Sequence, residues 1–126
     1  MAIALRQPGS SFKPFIYALA LSKNPIGPAS PIADMKTSFG SYTPDNYDKN
    51  FKGIMPLEKA LAWSRNIPAI KMFFLAGKEE SIVKFGQSLG FNSLKENAGY
   101  GAPMAIGTAE VRPVDLMQAY SVFANL

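Results

Sequence analysis

The 126-residue chain contains no histidine and no cysteine. Without thiols there is no disulfide and no thiolate metal site, and with histidine absent as well a zinc centre is not expected. The lack of cysteine does not by itself identify the compartment, because proteins outside the cytoplasm also do without it. No apolar run approaches the roughly 20 residues that cross a bilayer, and the start lacks a signal-peptide pattern. Any membrane anchor is therefore expected to lie outside this chain. A net charge of +4 is mild, and the lysines are scattered. No basic block or basic–aromatic interleaving is present, so nucleic acid is not an expected partner.

What is present suits one globular domain: 48% of the residues are hydrophobic, and a chain of this size buries very roughly two thirds of its unfolded surface. The apolar run Met1–Leu5 leads abruptly into Arg6-Gln7-Pro8-Gly9-Ser10-Ser11-Phe12-Lys13-Pro14-Phe15, as expected of a piece of a longer protein.

In that stretch Ser10 and Lys13 stand three residues apart at the predicted first turn of a helix. Residues at i and i+3 are neighbours on a helix surface. A serine hydroxyl needs an adjacent base to become a useful nucleophile. With no histidine available, lysine is the candidate base. Pro14 fixes where the helix begins, because it has no N–H to donate to the carbonyl of Ser10 and fits only a first turn. Phe12, Phe15, Ile16 and Leu19 then follow helical spacing up to about Lys23, before Asn24-Pro25.

Residues 24 to 53 are rich in Pro, Gly, Ser and Asn and read as a loop, with a small hairpin around Gly40 formed by Thr37–Phe39 and Ser41–Thr43. Pro56 is placed to open a helix carrying Leu57, Ala60 and Leu61. Pro68 cannot continue that helix and opens another, through Ile70, Phe73 and Phe74 to Gly77. Ser64-Arg65-Asn66 is thereby left at a corner between two helices, a good position for presenting side chains. Further helices are predicted over Glu79–Leu89 and from Pro113.

Single motifs here are cheap. Eleven serines and ten lysines give about one Ser-x-x-Lys by chance, and a second one, Ser81…Lys84, reads as a solvated helix face. Ser-x-Asn also occurs twice, and Ser22-Lys23-Asn24 reads as an ordinary helix end. Taken alone, Ser10 and Asn66 would each be helix N-caps.

In combination they say more. The run at 6–15 closely resembles the active-site segment of penicillin-binding proteins of the bifunctional class A type. The resemblance continues through Tyr42-Thr43-Pro44-Asp45-Asn46, through Leu57–Ala69 with its Ser64-Arg65-Asn66, through Ala105-Ile106-Gly107-Thr108-Ala109-Glu110-Val111, and through Gln118-Ala119-Tyr120…Phe123-Ala124-Asn125. The implied fold is mainly α, the helical half of a β-lactamase-like transpeptidase fold. It is expected as a single partial domain over 1–126, with at most a short hairpin around 36–43 and the main antiparallel sheet missing.

The resemblance also implies roles. Ser10 would attack the D-Ala-D-Ala carbonyl of a peptidoglycan stem peptide, or a β-lactam ring. Lys13 would be the base, Ser64 would relay a proton to the leaving group, and Asn66 would hold the substrate amide. The Ser10 N–H would supply one oxyanion donor. Arg65, in the variable middle position, receives no catalytic role. No metal or organic cofactor is implied, and the setting would be the outer face of a bacterial cytoplasmic membrane. The family's third motif, Lys-Thr/Ser-Gly, is absent; Lys36-Thr37-Ser38 has the wrong third residue and precedes Ser64.

Keeping a lysine neutral at pH 7 takes roughly 4–5 kcal/mol of environmental bias. With the sheet gone, Lys13 is expected to be hydrated and charged, and the chain to be acylated slowly or not at all. Two other readings are a β-lactam sensor that holds its acyl group, and a structural piece that self-associates through bared helix faces.

Overall fold

The computed structural model describes residues 5–46, 48–96 and 98–124. Met1–Ala4 of the apolar run and Asn125 of the last quoted segment lie outside them. The chain opens with a 3-10 turn, Gly9–Phe12, that runs into α1 (Lys13–Lys23). The proline explains the tight start. Pro14 cannot donate to the Ser10 carbonyl, and the Lys13 N–H takes that carbonyl in the i+3 pattern of a 3-10 helix.

α1 is the central element. Phe15, Ile16, Tyr17, Leu19 and Ala20 are all buried along it, and so is Lys13. Phe15 packs edge-on against Phe91 at 5.3 Å between ring centroids and against Tyr120 at 4.8 Å. Burying such a ring is worth about 1.5–3 kcal/mol. The predicted corner is present. α2 (Leu57–Ala62) ends before Ser64, and α3 (Asn66–Leu75) begins two residues earlier than the proline alone indicates, with Pro68 in its first turn. Pro56 itself stays extended and only precedes α2. α3 is apolar almost all round and lies in the core between α1 and the 3-10 segment Ala102–Ile106. α4 (Lys78–Ser88) and α5 (Pro113–Ala124) complete the helical part. Among the described residues no helix is long and apolar enough to cross a membrane.

The fold is mainly α, as expected. The loop-like stretch 24–53 holds more order than its composition suggests. β1 (Pro31–Asp34) pairs antiparallel with β2 (Gly53–Pro56), placing Asp34 opposite Gly53. The hairpin expected around Gly40 reduces to one bridge, in which Phe39 and Tyr42 exchange backbone hydrogen bonds of 2.7 and 3.1 Å. Both bland motif readings hold. Lys84 faces solvent beside Glu80, and Asn24 closes α1 by donating to the carbonyls of Ala20 and Leu75.

Candidate active site

The four residues singled out in the sequence meet at one point. Ser10 is exposed at the mouth of the 3-10 turn. The Ser64 hydroxyl donates to Ser10 Oγ at 2.6 Å, and Lys13 Nζ donates to Ser64 Oγ at 3.0 Å. Lys13 Nζ also donates to Ser64 O at 2.9 Å and to Asn66 Oδ1 at 2.7 Å. Three acceptors match the three donors of an ammonium. Ser64 thus stands between the amine and the outer hydroxyl, a bridging position that the i, i+3 spacing of Ser10 and Lys13 does not foretell. Hydroxyls rotate, so the same chain of atoms can run in reverse and carry a proton from Ser10 to a neutral Lys13.

Lys13 is 1% exposed. The expectation of a hydrated amine is therefore corrected: the walls built by α1, α3 and the corner are enough to bury it, while at pH 7 it stays mostly charged, as expected. Burial pushes its pKa down to about 8, and the positive charge of Arg65 adds to the shift.

The corner is conformationally unusual. Ser64 adopts a left-handed backbone, φ 55°, uncommon for any residue but glycine or asparagine. Such a residue costs about 1–3 kcal/mol and persists only where its surroundings hold it. They do so through three polar residues that sequence reasoning left without a role. Arg65 turns away from Lys13 and is 2% exposed. Its Nε donates to Asp34 at 2.8 Å, and its two terminal nitrogens grip both oxygens of Asp48 at 2.9 and 3.2 Å. Asn46 Oδ1 accepts from the N–H groups of Asn66 and Ile67 at 2.7 and 3.2 Å. It thereby caps α3 from a distant loop, a task no local side chain performs. Asp34, fully buried, accepts from Asn46 and Arg65 together. The Arg65 guanidinium, with help from the Asn50 N–H, holds Asp48 down at about 2.

A second support lies beneath Ser10. The Arg6 and Val111 backbones exchange hydrogen bonds of 2.9 and 2.8 Å, and Gly9 N–H donates to Gly107 O at 3.2 Å. Gly107 has φ 82°, and a Cβ there would lie 2.1 Å from Gly9 O. Tyr120 donates its hydroxyl to the Ser11 carbonyl. The segment 105–111 and Tyr120 of α5 therefore strap the serine turn from behind. In front, a cavity of about 800 Å³ opens over Ser10, lined also by Trp63, Lys52, Asp48 and Ile106. Trp63 is half exposed on its wall.

A mainly helical domain that sets a Ser-x-x-Lys turn against a Ser-x-Asn corner defines a class, that of penicillin-binding and β-lactamase-like domains. The sequence matches the penicillin binding protein transpeptidase domain over residues 3–126, and the chain belongs to that family. Penicillin-binding protein 1A of Neisseria cinerea is 40% identical over 133 residues, covering 98% of this chain and 16% of the relative. Penicillin-binding protein 1C of Escherichia coli is 34% identical over 126 residues, covering 99% and 16%. The crystal structure of penicillin-binding protein 1A from Haemophilus influenzae superposes with a TM-score of 0.84 at 35% identity, over 96% of this chain and 18% of that one. The PonA1 protein of Mycobacterium tuberculosis, solved in complex with penicillin V, shares the fold with a TM-score of 0.84 at 23% identity, over 96% and 35%. The chain thus spans about a sixth of the length of the curated relatives it matches.

Proposed function

We propose that this transpeptidase domain works through a Ser10 acyl-enzyme, as part of a class A protein that cross-links peptidoglycan stem peptides outside the cytoplasmic membrane and is a target of β-lactams. The observation that carries the reading is the relay of contacts from Ser10 Oγ through Ser64 Oγ to Lys13 Nζ, at 2.6 and 3.0 Å. Ser10 Oγ attacks the carbonyl of the penultimate D-alanine. Its proton passes to Ser64, and the Ser64 proton passes to the neutral Lys13 amine. When the C–N bond to the terminal D-alanine breaks, the proton returns along the same path to the departing amine, leaving an ester on Ser10. An acceptor amine then attacks that ester and restores the serine. With a β-lactam the bond broken is the ring amide, and the leaving group stays tethered.

Asn66 contributes in two directions. Its Oδ1 holds Lys13, and its Nδ2, at 3.3 Å from the Asp45 carbonyl, is the group available for a substrate amide. The Ser10 N–H supplies one oxyanion donor. A single donor leaves the tetrahedral intermediate short of stabilisation, so the 126-residue chain alone is acylated slowly even though its base is in place. Labelling with a fluorescent penicillin tests this. Slow, stoichiometric labelling lost in Ser10→Ala, and reduced by about 10²–10⁴ in Ser64→Ala, is expected. Undiminished labelling of Ser64→Ala would remove the relay from the mechanism.

A further inference from the structure

Arg65 is a buried charge beside the site, and its position between Ser64 and Asn66 connects two sets of contacts. Its neighbours reach inward to Lys13, while its own side chain reaches the other way. There it makes four bonds: to Asp34 at 2.8 Å, to the two Asp48 oxygens at 2.9 and 3.2 Å, and to the Asn50 carbonyl at 2.5 Å. Asp34 is itself fixed by Asn46 Nδ2 at 2.7 Å and by the Lys52 N–H at 3.0 Å. Asn46 uses both donors and both acceptor positions, on Asp34, Asn50, Asn66 and Ile67. The loop 45–52 is thus bolted to β1 and to the first turn of α3, with the guanidinium as the shared bolt.

We propose that Arg65 is a positioning residue. Clamped by Asp34 and Asp48, it holds the left-handed backbone at Ser64 in place, so that Ser64 Oγ and Asn66 Oδ1 stay on Lys13 Nζ and keep water from the amine. This rests on the reading of Ser10, Ser64 and Lys13 as the reacting group, but it concerns geometry and is measurable without acylation. A planar fork is needed here. Lysine at position 65 keeps the charge but cannot span Asp34 and both oxygens of Asp48 at once.

The charged groups around the corner are Arg65, Asp34, Asp48 and Lys52, and the one acting directly on Lys13 is Arg65. Through-space charge and positioning therefore make different statements about two variants. Arg65→Lys retains the positive charge, so charge alone leaves the Lys13 titration where it is, whereas a released corner hydrates the amine and raises it. Asp48→Asn removes a negative charge, which alone lowers the Lys13 titration, whereas loss of the clamp raises it.

The test uses the whole chain with ¹³C at the lysine Cε positions. The Lys13 signal is assigned by its disappearance in Lys13→Arg and followed against pH. A wild-type midpoint near 8, moving toward the ordinary 10.5 in both variants, is the expected result. Unchanged midpoints, or a midpoint that falls in Asp48→Asn, overturn the proposal. Asp48 stands at the rim with its side chain 26% exposed, so that variant decides the matter if Arg65→Lys fails to fold. Penicillin labelling on the same samples keeps the two ideas apart. Raised midpoints with no labelling of wild-type Ser10 leave the positioning intact and defeat the acyl-enzyme reading. Normal labelling with unmoved midpoints does the reverse.

Discussion

The rate at which Ser10 is acylated should follow the titration of Lys13, and the structure sets where. Burial and Arg65 bring the Lys13 pKa from 10.5 to about 8. At pH 7 the amine is then neutral in about one molecule in ten, against about one in three thousand for an ordinary lysine, a gain of roughly 300-fold in competent base. Labelling by a fluorescent penicillin, quenched at fixed times between pH 5.5 and 9.5, should rise about tenfold per unit and level off above 8. The amplitude depends on the oxyanion donors, but the midpoint depends on Lys13 alone. The same shift appears in stability. Below about 8, folding keeps a charged lysine out of water, a penalty of at most about 3 kcal/mol before solvent screening near Ser10 reduces it. Between about 8 and 10.5 the unfolded chain still holds the proton that the folded chain has lost, so stability rises with pH there and the penalty is gone above it. Lys13→Met should flatten that rise in urea titrations. A pH-independent labelling rate, or a midpoint at 10 or above, would refute the reasoning.

Three further outcomes follow from the packing. Gly107→Ala forces a Cβ into the Gly9 backbone at a φ of 82°, and urea unfolding should show a loss of at least about 2 kcal/mol, whereas Gly9→Ala, with open space around it, should cost only about 1–2. Asn46→Ala removes the remote cap of α3 and an Asp34 partner, for an expected loss of about 2 kcal/mol or more by the same measurement. On α5, Met117 is 73% exposed, one turn from Val114 at 42%. At high concentration the chain should elute above its 13.7 kDa mass in size-exclusion chromatography and return toward it in Met117→Glu.

The helices were readable because each depends on local signals: prolines at helix starts, apolar spacing, and one corner forced by Pro68. That Ser10 and Lys13 meet Ser64 and Asn66, more than 50 residues away, was implied by the family resemblance and by no local signal. What was not readable depends on partners far away in sequence. β1 and β2 are four residues each, carry no alternation, and are joined across 18 residues of polar loop, so composition alone reads them as irregular. Arg65 looked neutral because its partner Asp34 is 31 residues away. The one available hint was the concentration of Asp34, Asn46, Asp48 and Asn50 in a stretch otherwise given to turns. Lys13 was misjudged for a different reason. Its burial was assigned to an absent sheet, whereas α1 is flanked closely enough by α3 and the corner to exclude water without it.

Intact-mass measurement after incubation with a β-lactam at pH 9, where Lys13 is neutral, addresses the acyl-enzyme at Ser10 most directly. A single adduct should accumulate over hours, map to the peptide containing Ser10, and be absent from Ser10→Ala. No adduct after an overnight incubation of folded chain, or an adduct that persists in Ser10→Ala, would contradict it.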